Sequence, residues 1–173
     1  MKLDRNQKIV AVGSFSGVAT MLLLVFTLYR FLLPNFHGLT ALSERLAFTL
    51  RWDVLAVVPF FVGIMAIANR RFLSEAINPL AGNRDEVMEI NIRVVNNTHE
   101  QYLVFLVATL ALSTLLRPDQ MKLIPAVVIA FLLARLAFWI GYRKNPLYRA
   151  PGMGATAYLN LGLLLAVLYL VFR

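Results

Sequence analysis

The sequence predicts an all-α integral membrane protein, a helical bundle that crosses the bilayer five times. The chain of 173 residues is 60% hydrophobic and 15% charged, and its mean hydropathy is +0.70. Soluble domains carry about 25% charged residues, so the apolar excess is too large for one water-soluble core. Because lipid offers no partner to backbone polar groups, the spanning segments are expected to be helical.

The apolar residues fall into five long blocks, which is the second observation behind this fold class. Each block can reach across a hydrocarbon core of about 30 Å at about 1.5 Å per residue. The second block is the shortest and can begin earlier, within Ser43–Leu50. The five blocks are Ile9–Leu33, Trp52–Ala68, Met88–Leu115, Met121–Tyr142 and Ala155–Phe172.

The first block follows a basic amino terminus, as the core of a signal peptide would. Its apolar run is longer than the roughly 7–15 residues of a signal core, and no convincing small-residue cleavage site follows. We therefore predict a retained first helix, closed by Pro34 and Gly38. Gly13 and Gly17 have the spacing of small residues in packed membrane helices, which predicts a helix contact at that face.

Turn-forming residues separate the later blocks. Between Asn35 and Leu50 the mixed sequence fits either an interfacial helix or a plain loop. Glycine, proline and asparagine then mark each later connection. These turns are Asn78-Pro79 with Ala81–Asn83, Arg117–Asp119, Asn145-Pro146 and Pro151-Gly152.

Basic residues are distributed unevenly between the two sides of these blocks. The net charge is +8, with nine basic residues on the amino-terminal side and six on the other. This bias predicts a cytoplasmic amino terminus and a carboxyl terminus on the opposite side. The first set is Lys2, Arg5, Lys8, Arg70, Arg71, Arg84, Arg143, Lys144 and Arg149, and the second is Arg30, Arg45, Arg51, Arg117, Lys122 and Arg173.

Composition also limits the kinds of function. Basic loop residues of a membrane protein are expected to meet anionic lipid head groups, so nucleic acid is not an expected partner. The absence of cysteine excludes disulfides and a cysteine nucleophile. The two histidines, His37 and His99, have no metal-ligand spacing, so no metal is expected. A small transporter is disfavoured because five helices give no even inverted repeat.

Three polar residues of the third block share one helical face. Arg93, Asn97 and Glu100 are spaced i, i+4 and i+7, which places them in one narrow stripe. An ionisable residue in an apolar block costs roughly 2.5–3.5 kcal/mol to insert, so it usually has a partner and often a function. The stripe can bind a ligand that carries carboxylates and an ammonium group. A polar lock, in which Arg93 or Glu100 pairs with another helix, is an equally good interpretation.

A second polar face is predicted on the fourth block, where Arg135 and Tyr142 are seven residues apart. Tyr142 also fits an interfacial aromatic belt. Arg149 follows just before Pro151, in a loop or at the start of the last helix. A helix amino terminus with a guanidinium can bind an anion or a thiolate, although an ordinary positive-inside arginine is the simpler interpretation.

At these residues the sequence resembles the MAPEG superfamily, the membrane-associated proteins in eicosanoid and glutathione metabolism. The resemblance covers about residues 50–173 as four helices, and it leaves residues 1–49 as an extra transmembrane helix with an interfacial connector. Five helices in this arrangement resemble a mattrin-like branch of the family. The matching segments are Asn69–Phe72, Arg93–Glu100, Ala134–Tyr142 and Arg149–Pro151.

The resemblance implies a homotrimer that binds glutathione between neighbouring protomers. It also implies that Arg149 lowers the pKa of the glutathione thiol, as a nearby cation can. The residues implied to hold the peptide are Arg70, Arg93, Asn97, Glu100, Arg135 and Tyr142.

The function that the resemblance implies is a glutathione transferase or peroxidase acting on lipophilic electrophiles from the bilayer. The alternative is a non-catalytic trimer that binds lipid or regulates partner membrane proteins. Phe138 favours the alternative, because several active members have a hydrogen-bonding tyrosine or histidine there. Met153 and Gly154 also favour the alternative. Some members have a thiol-activating arginine at this point, a few residues inside the last helix, and neither residue here is an arginine.

Overall fold

The computed structural model of the chain describes residues 3–78 and 85–173. Over these ranges the fold is a bundle of five long helices without a β-strand, which confirms the predicted all-α class. The predicted turn over Pro79 and Ala81–Asn83 lies outside the described residues, as do Lys2 and Arg84 of the charge count. The helices are α1 (Arg5–Thr27), α2 (Leu42–Phe72), α3 (Glu86–Leu115), α4 (Leu123–Lys144) and α5 (Ala150–Val171).

Four segments of the described chain are long and apolar enough to cross a bilayer. They are Arg5–Leu32, Leu42–Phe72, Pro118–Lys144 and Pro146–Val171. The protein is therefore a multi-pass integral membrane protein.

The remaining helix, α3, is equally long but less apolar. Its 30 residues span roughly 45 Å at 1.5 Å per residue. Glu86, Glu89 and Arg93 make its first half polar. A fifth crossing by α3 therefore stays a prediction, as do the trimer and the orientation of the chain ends.

α1 begins with a hydrogen-bonded cap and ends in a wider turn. The Asp4 side chain accepts a hydrogen bond from the Gln7 backbone N–H at 2.7 Å, and the Gln7 side chain accepts one from the Asp4 N–H at 3.0 Å. This reciprocal cap satisfies two N–H groups at the helix start. At the other end Leu28–Leu32 form a π-helical turn just before Pro34, so the first span closes where the sequence predicts.

α2 begins at Leu42, well before the second apolar block. The Glu44 side chain accepts a hydrogen bond from the Ala41 N–H at 2.8 Å and caps this start. Arg45 donates to the carbonyl oxygen of Leu116 at 2.5 Å, which holds the first turns against the end of α3. The possible interfacial helix is therefore not a separate element, because residues 42–50 form the beginning of α2 and residues 35–41 are not helical.

α4 lies at the centre of the bundle. In its most apolar stretch 56% of the residues are buried, whereas the value for α1 is 11%. α4 also packs against each of the other four helices. The rings of Phe105 in α3 and Phe131 in α4 stack with centroids 4.3 Å apart, and both are fully buried. Aromatic pairs of this kind add about 0.5–1.5 kcal/mol beyond the burial of their area. The apolar core therefore includes the surface where α3 and α4 meet.

α1 packs against α5 through its two glycines. A Cβ atom added to Gly17 would overlap the backbone carbonyl of Pro151. One added to Gly13 would lie 3.1 Å from the Cβ atom of Ala150. The spacing of Gly13 and Gly17 thus marks a helix contact, as the sequence predicts.

Gly17→Leu should separate α1 from α5, because the added side chain has no space beside Pro151. The chain has no natural cysteine, so paired Gly13→Cys and Ala150→Cys substitutions report the contact by disulfide formation. We expect this pair to cross-link, and to lose most cross-linking when Gly17→Leu is added. Val12→Leu, on the exposed face of α1, should leave cross-linking intact. Equal cross-linking in the two variants would exclude Gly17 from the contact.

Candidate functional site

Arg135 of α4 is a buried cation among uncharged partners. It is 1% exposed. Its Nη1 donates to Thr156 Oγ1 at 3.1 Å, and its Nη2 donates to Asn97 Oδ1 at 3.0 Å and Thr98 Oγ1 at 2.9 Å. The guanidinium carbon lies 4.1 Å from the centroid of the Phe138 ring. Within the described residues no carboxylate pairs with Arg135 and its Nε has no acceptor, which marks a candidate site.

The close approach of α5 to α4 brings Thr156 to this position. A Cβ atom at Gly152 would overlap the backbone of Ala134 and Phe138, so a larger residue would force the two helices apart. Thr156 Oγ1 also lies 3.0 Å from the carbonyl oxygen of Gly152, one turn earlier. The hydroxyl can therefore donate within its own helix while it accepts from Arg135.

Tyr142 lies about one turn beyond Phe138 and contacts two more arginines. The guanidinium carbon of Arg149 is 5.0 Å from the centroid of the Tyr142 ring, and Arg93 of α3 interacts with the same side chain. Arg93 Nε also donates to Glu89 Oε1 at 3.2 Å. Phe138 packs edge-on against Tyr142 with centroids 5.8 Å apart. The two rings thus connect the buried guanidinium of α4 with the exposed arginines.

A short 3-10 turn, Pro146–Arg149, leads from α4 into α5. Asn145 caps this turn, since its side chain accepts a 2.8 Å hydrogen bond from the backbone N–H two residues later. A Cβ atom at Gly141 would overlap the carbonyl of Tyr148, so the turn lies directly against the end of α4. The hydrogen bonding and close packing of this turn therefore place Arg149, its last residue, over the Tyr142 ring.

The predicted stripe on α3 divides between the interior and the surface. Asn97 is half-buried and accepts a hydrogen bond from Arg135 of α4, so this residue links two helices. Arg93 and Glu100 are exposed. Glu100 makes no hydrogen bond or ion pair within the described part of the chain. Its carboxylate is therefore available to a ligand.

Arg70, the last candidate residue, pairs with an acid at the start of α3. Its Nε lies 2.6 Å and its Nη2 2.5 Å from Asp85 Oδ2. Asp85 also caps α3, because its Oδ1 accepts a hydrogen bond from the Met88 N–H at 2.7 Å. The Met88 N–H and then Arg70 hold the pKa of Asp85 below its ordinary value. Arg70 thus secures the α2–α3 connection.

Three uncharged residues around this site were not predicted from the sequence. Thr98 and Thr156 bind Arg135. Asn91 accepts a hydrogen bond from the indole N–H of Trp139 at 3.0 Å. Asn91 and Thr98 are seven residues apart and both buried. This is the same i, i+7 spacing that relates Arg93 and Glu100, so helical periodicity could also have revealed that Asn91 and Thr98 share a face.

A buried carboxyl group lies elsewhere in the bundle, on α2. Asp53 is 2% exposed, and its Oδ2 accepts a hydrogen bond from Thr109 Oγ1 of α3 at 2.9 Å. Its Oδ1 is buried and has no hydrogen-bond partner among the described residues. The sequence does not reveal this pairing, because spacing along one helix cannot show a partner on another helix.

The candidate residues fall within a region that matches a known family. The model of the MAPEG family matches residues 49–169. The chain is 30% identical over 149 residues to Transmembrane protein 79 of Mus musculus and, equally, of Bos taurus. Each match covers 86% of this chain but 38% of the relative, so the chain spans well under half of the relatives' length. No solved structure matches. These findings confirm the resemblance to the family and to a mattrin-like branch.

Thr109→Val should destabilise the bundle, because it removes the donor to Asp53 and leaves a buried carboxyl group without a partner. Such a group costs about 1–3 kcal/mol, which unfolding of the purified protein in detergent can measure. Thr114→Val is the matched control, since that exposed hydroxyl bonds a carbonyl of its own helix. Adding Asp53→Leu to Thr109→Val should recover most of the loss, because two apolar groups then face each other. A double variant as unstable as Thr109→Val would contradict the pairing.

Proposed function

Because the chain belongs to the MAPEG family, we propose that it is a membrane-embedded glutathione-binding protein that assembles as a homotrimer. The observation that carries this proposal is the excess of positive charge around Phe138 and Tyr142, the two packed aromatic residues of α4. Arg135 and Arg149 lie against the rings of Phe138 and Tyr142, and Arg93 interacts with the Tyr142 side chain. In the described part of the chain Glu89 is the one carboxylate that pairs with them. Glutathione carries two carboxylates and would supply the missing negative charge.

The other candidate residues fit the remaining groups of the tripeptide. Glu100 is exposed and has no intramolecular partner among the described residues, so it suits the ammonium group. The oxygen of Asn97 is held by Arg135, which leaves its amide hydrogens for a ligand oxygen. Arg70 is engaged with Asp85 in its own protomer. We therefore place it at the edge of the site that a neighbouring protomer completes.

Arg149 is the residue that we assign to the chemistry. The thiol first loses its proton to solvent, and a guanidinium beside the sulfur stabilises the resulting thiolate. The sulfur then attacks an electrophilic carbon, an S–C bond forms, and the leaving group departs with its electron pair. Lipophilic electrophiles would arrive from the bilayer. Arg149 and Tyr142 would position the sulfur, while the network around Arg135 anchors the peptide.

The orientation of the chain belongs to the same proposal. Five crossings with the amino terminus in the cytoplasm would place the carboxyl terminus on the opposite side. The larger set of basic residues, which includes Arg149, then lies on the cytoplasmic side, in agreement with the positive-inside rule. That is the compartment in which glutathione maintains a reducing environment.

A non-catalytic trimer that binds lipid or regulates partner membrane proteins is the second candidate. Phe138 favours it, because this ring has no hydroxyl to hydrogen-bond a thiolate. The hydrogen bonds of Arg135 also link α3, α4 and α5 without any ligand. In this candidate the buried arginine is a lock between helices, and no electrophile is turned over.

Glutathione binding and turnover by the purified chain test the proposal. Millimolar glutathione should raise the unfolding temperature, and conjugation of 1-chloro-2,4-dinitrobenzene should be detectable by absorbance. Arg149→Ala should keep binding and lose about tenfold or more of turnover, since one pKa unit of the thiol is a factor of ten. Its pH–rate profile should also shift to higher pH. Arg143→Ala, exposed at the end of α4, should behave like the unchanged protein.

The possible outcomes separate the two candidates. No stabilisation by millimolar glutathione would contradict glutathione binding. Unchanged turnover in Arg149→Ala would remove that residue from the chemistry. Stabilisation without turnover favours the non-catalytic trimer. Loss of the trimer in Glu100→Ala would show that this carboxylate serves assembly and not the ligand.

A further inference from the structure

An apolar cavity of about 390 Å³ lies between α1 and α5, toward the end of the bundle opposite Arg149. Leu112 of α3 and Leu123 of α4 also contribute to its lining. Ligand sites in proteins span roughly 300–1,000 Å³, so the cavity is large enough for part of a small molecule. Since α1 precedes residue 49, where the family match begins, one wall of the cavity lies outside the matched family region.

Positive charge lies at the mouth of this cavity. Tyr29, which lines it, belongs to the π-helical turn at the end of α1. Lys122 Nζ is 4.8 Å from the centroid of the Tyr29 ring and donates to Asn35 Oδ1 at 3.0 Å. The neighbouring cation Arg117 is paired with Asp119, with its Nε 3.2 Å from Oδ1, so Lys122 carries the unneutralised charge. Over residues 3–78 and 85–173 no carboxylate forms a salt bridge with Lys122, so its charge is not neutralised there.

The geometry points to binding of an anionic membrane phospholipid, with one acyl chain in the cavity and the phosphate beside Lys122. Only 11% of the most apolar stretch of α1 is buried within the bundle, so an acyl chain can reach the cavity past the side of α1 that the bundle leaves uncovered. Cations close to the membrane surface attract anionic lipids. A zwitterionic lipid brings its own ammonium group to the mouth and gains less from Lys122.

Gly162 of α5 lines the cavity and provides a way to fill it. A Cβ atom at this position would meet no other atom within 4 Å. Because Gly162 lines the cavity, a larger side chain there has space to occupy part of it without displacing backbone, and almost any residue is a better helix former than glycine. Gly162→Phe is thus expected to exclude an acyl chain and keep the fold.

The purified full chain in a mild detergent is titrated with dioleoyl phosphatidylglycerol or dioleoyl phosphatidylcholine, with thermal unfolding and native mass spectrometry as readouts. We expect phosphatidylglycerol to stabilise more strongly and to remain bound at one molecule per protomer. Lys122→Gln should weaken its binding about fivefold, the contribution of one cation near an anionic lipid. Gly162→Phe should abolish its retention. Lys144→Gln, exposed at the other end of α4, should change neither readout.

Three results would overturn this inference. Equal retention of the two lipids would show that the head-group charge is not recognised. Unchanged retention of phosphatidylglycerol by Gly162→Phe would place the acyl chain elsewhere. Displacement of phosphatidylglycerol by oleic acid at equal concentration would make a free fatty acid the ligand. If the phenylalanine variant does not fold, Gly162→Leu repeats the filling test, and the Lys122 comparison stands independently.

Discussion

Arg135 carries a guanidinium into the interior of a membrane protein, and three helices are arranged to accommodate it. Oxygen atoms from α3 and α5 accept its hydrogen bonds, and Phe138 covers one face of the group. Because lipid cannot solvate a cation, these partners must come together when the helices pack. The absence of a side chain at Gly152 lets α5 lie close enough for Thr156 to take part. A single buried group thus constrains α3, α4 and α5 relative to one another.

Glycines set the separation of helices on two sides of α5. Gly152 allows contact with α4, and Gly17 of α1 allows contact with Pro151. Farther along α1 and α5, the space between the two helices widens into the apolar cavity. The tightly packed end carries Arg149, and the open end carries Lys122. One pair of helices therefore borders two candidate sites with different chemistry, one suited to a charged peptide and the other to a lipid.

Features that depend on neighbouring residues along the chain were predictable. The apolar blocks located the helices, and the spacing of Gly13 and Gly17 located a contact face. The shared face of Arg93, Asn97 and Glu100 also followed from helical periodicity. The start of α2 at Leu42 was less certain, because its capping partner and its contact with α3 lie outside any apolar block.

The amino-acid sequence alone determined that this is a membrane protein, how many helices it has and which residues share a helical face. These features depend on segment length, hydropathy and periodicity, which are local properties of the chain. Tertiary structure alone decided the partner of each polar residue. In the folded protein Asn97 accepts a hydrogen bond from Arg135, Glu100 lies at the surface, and Arg70 pairs with Asp85. The reason is geometric, because a polar group on one helix finds a partner only at a certain distance from the next helix. That distance is set by glycines and side-chain volumes far apart in the chain.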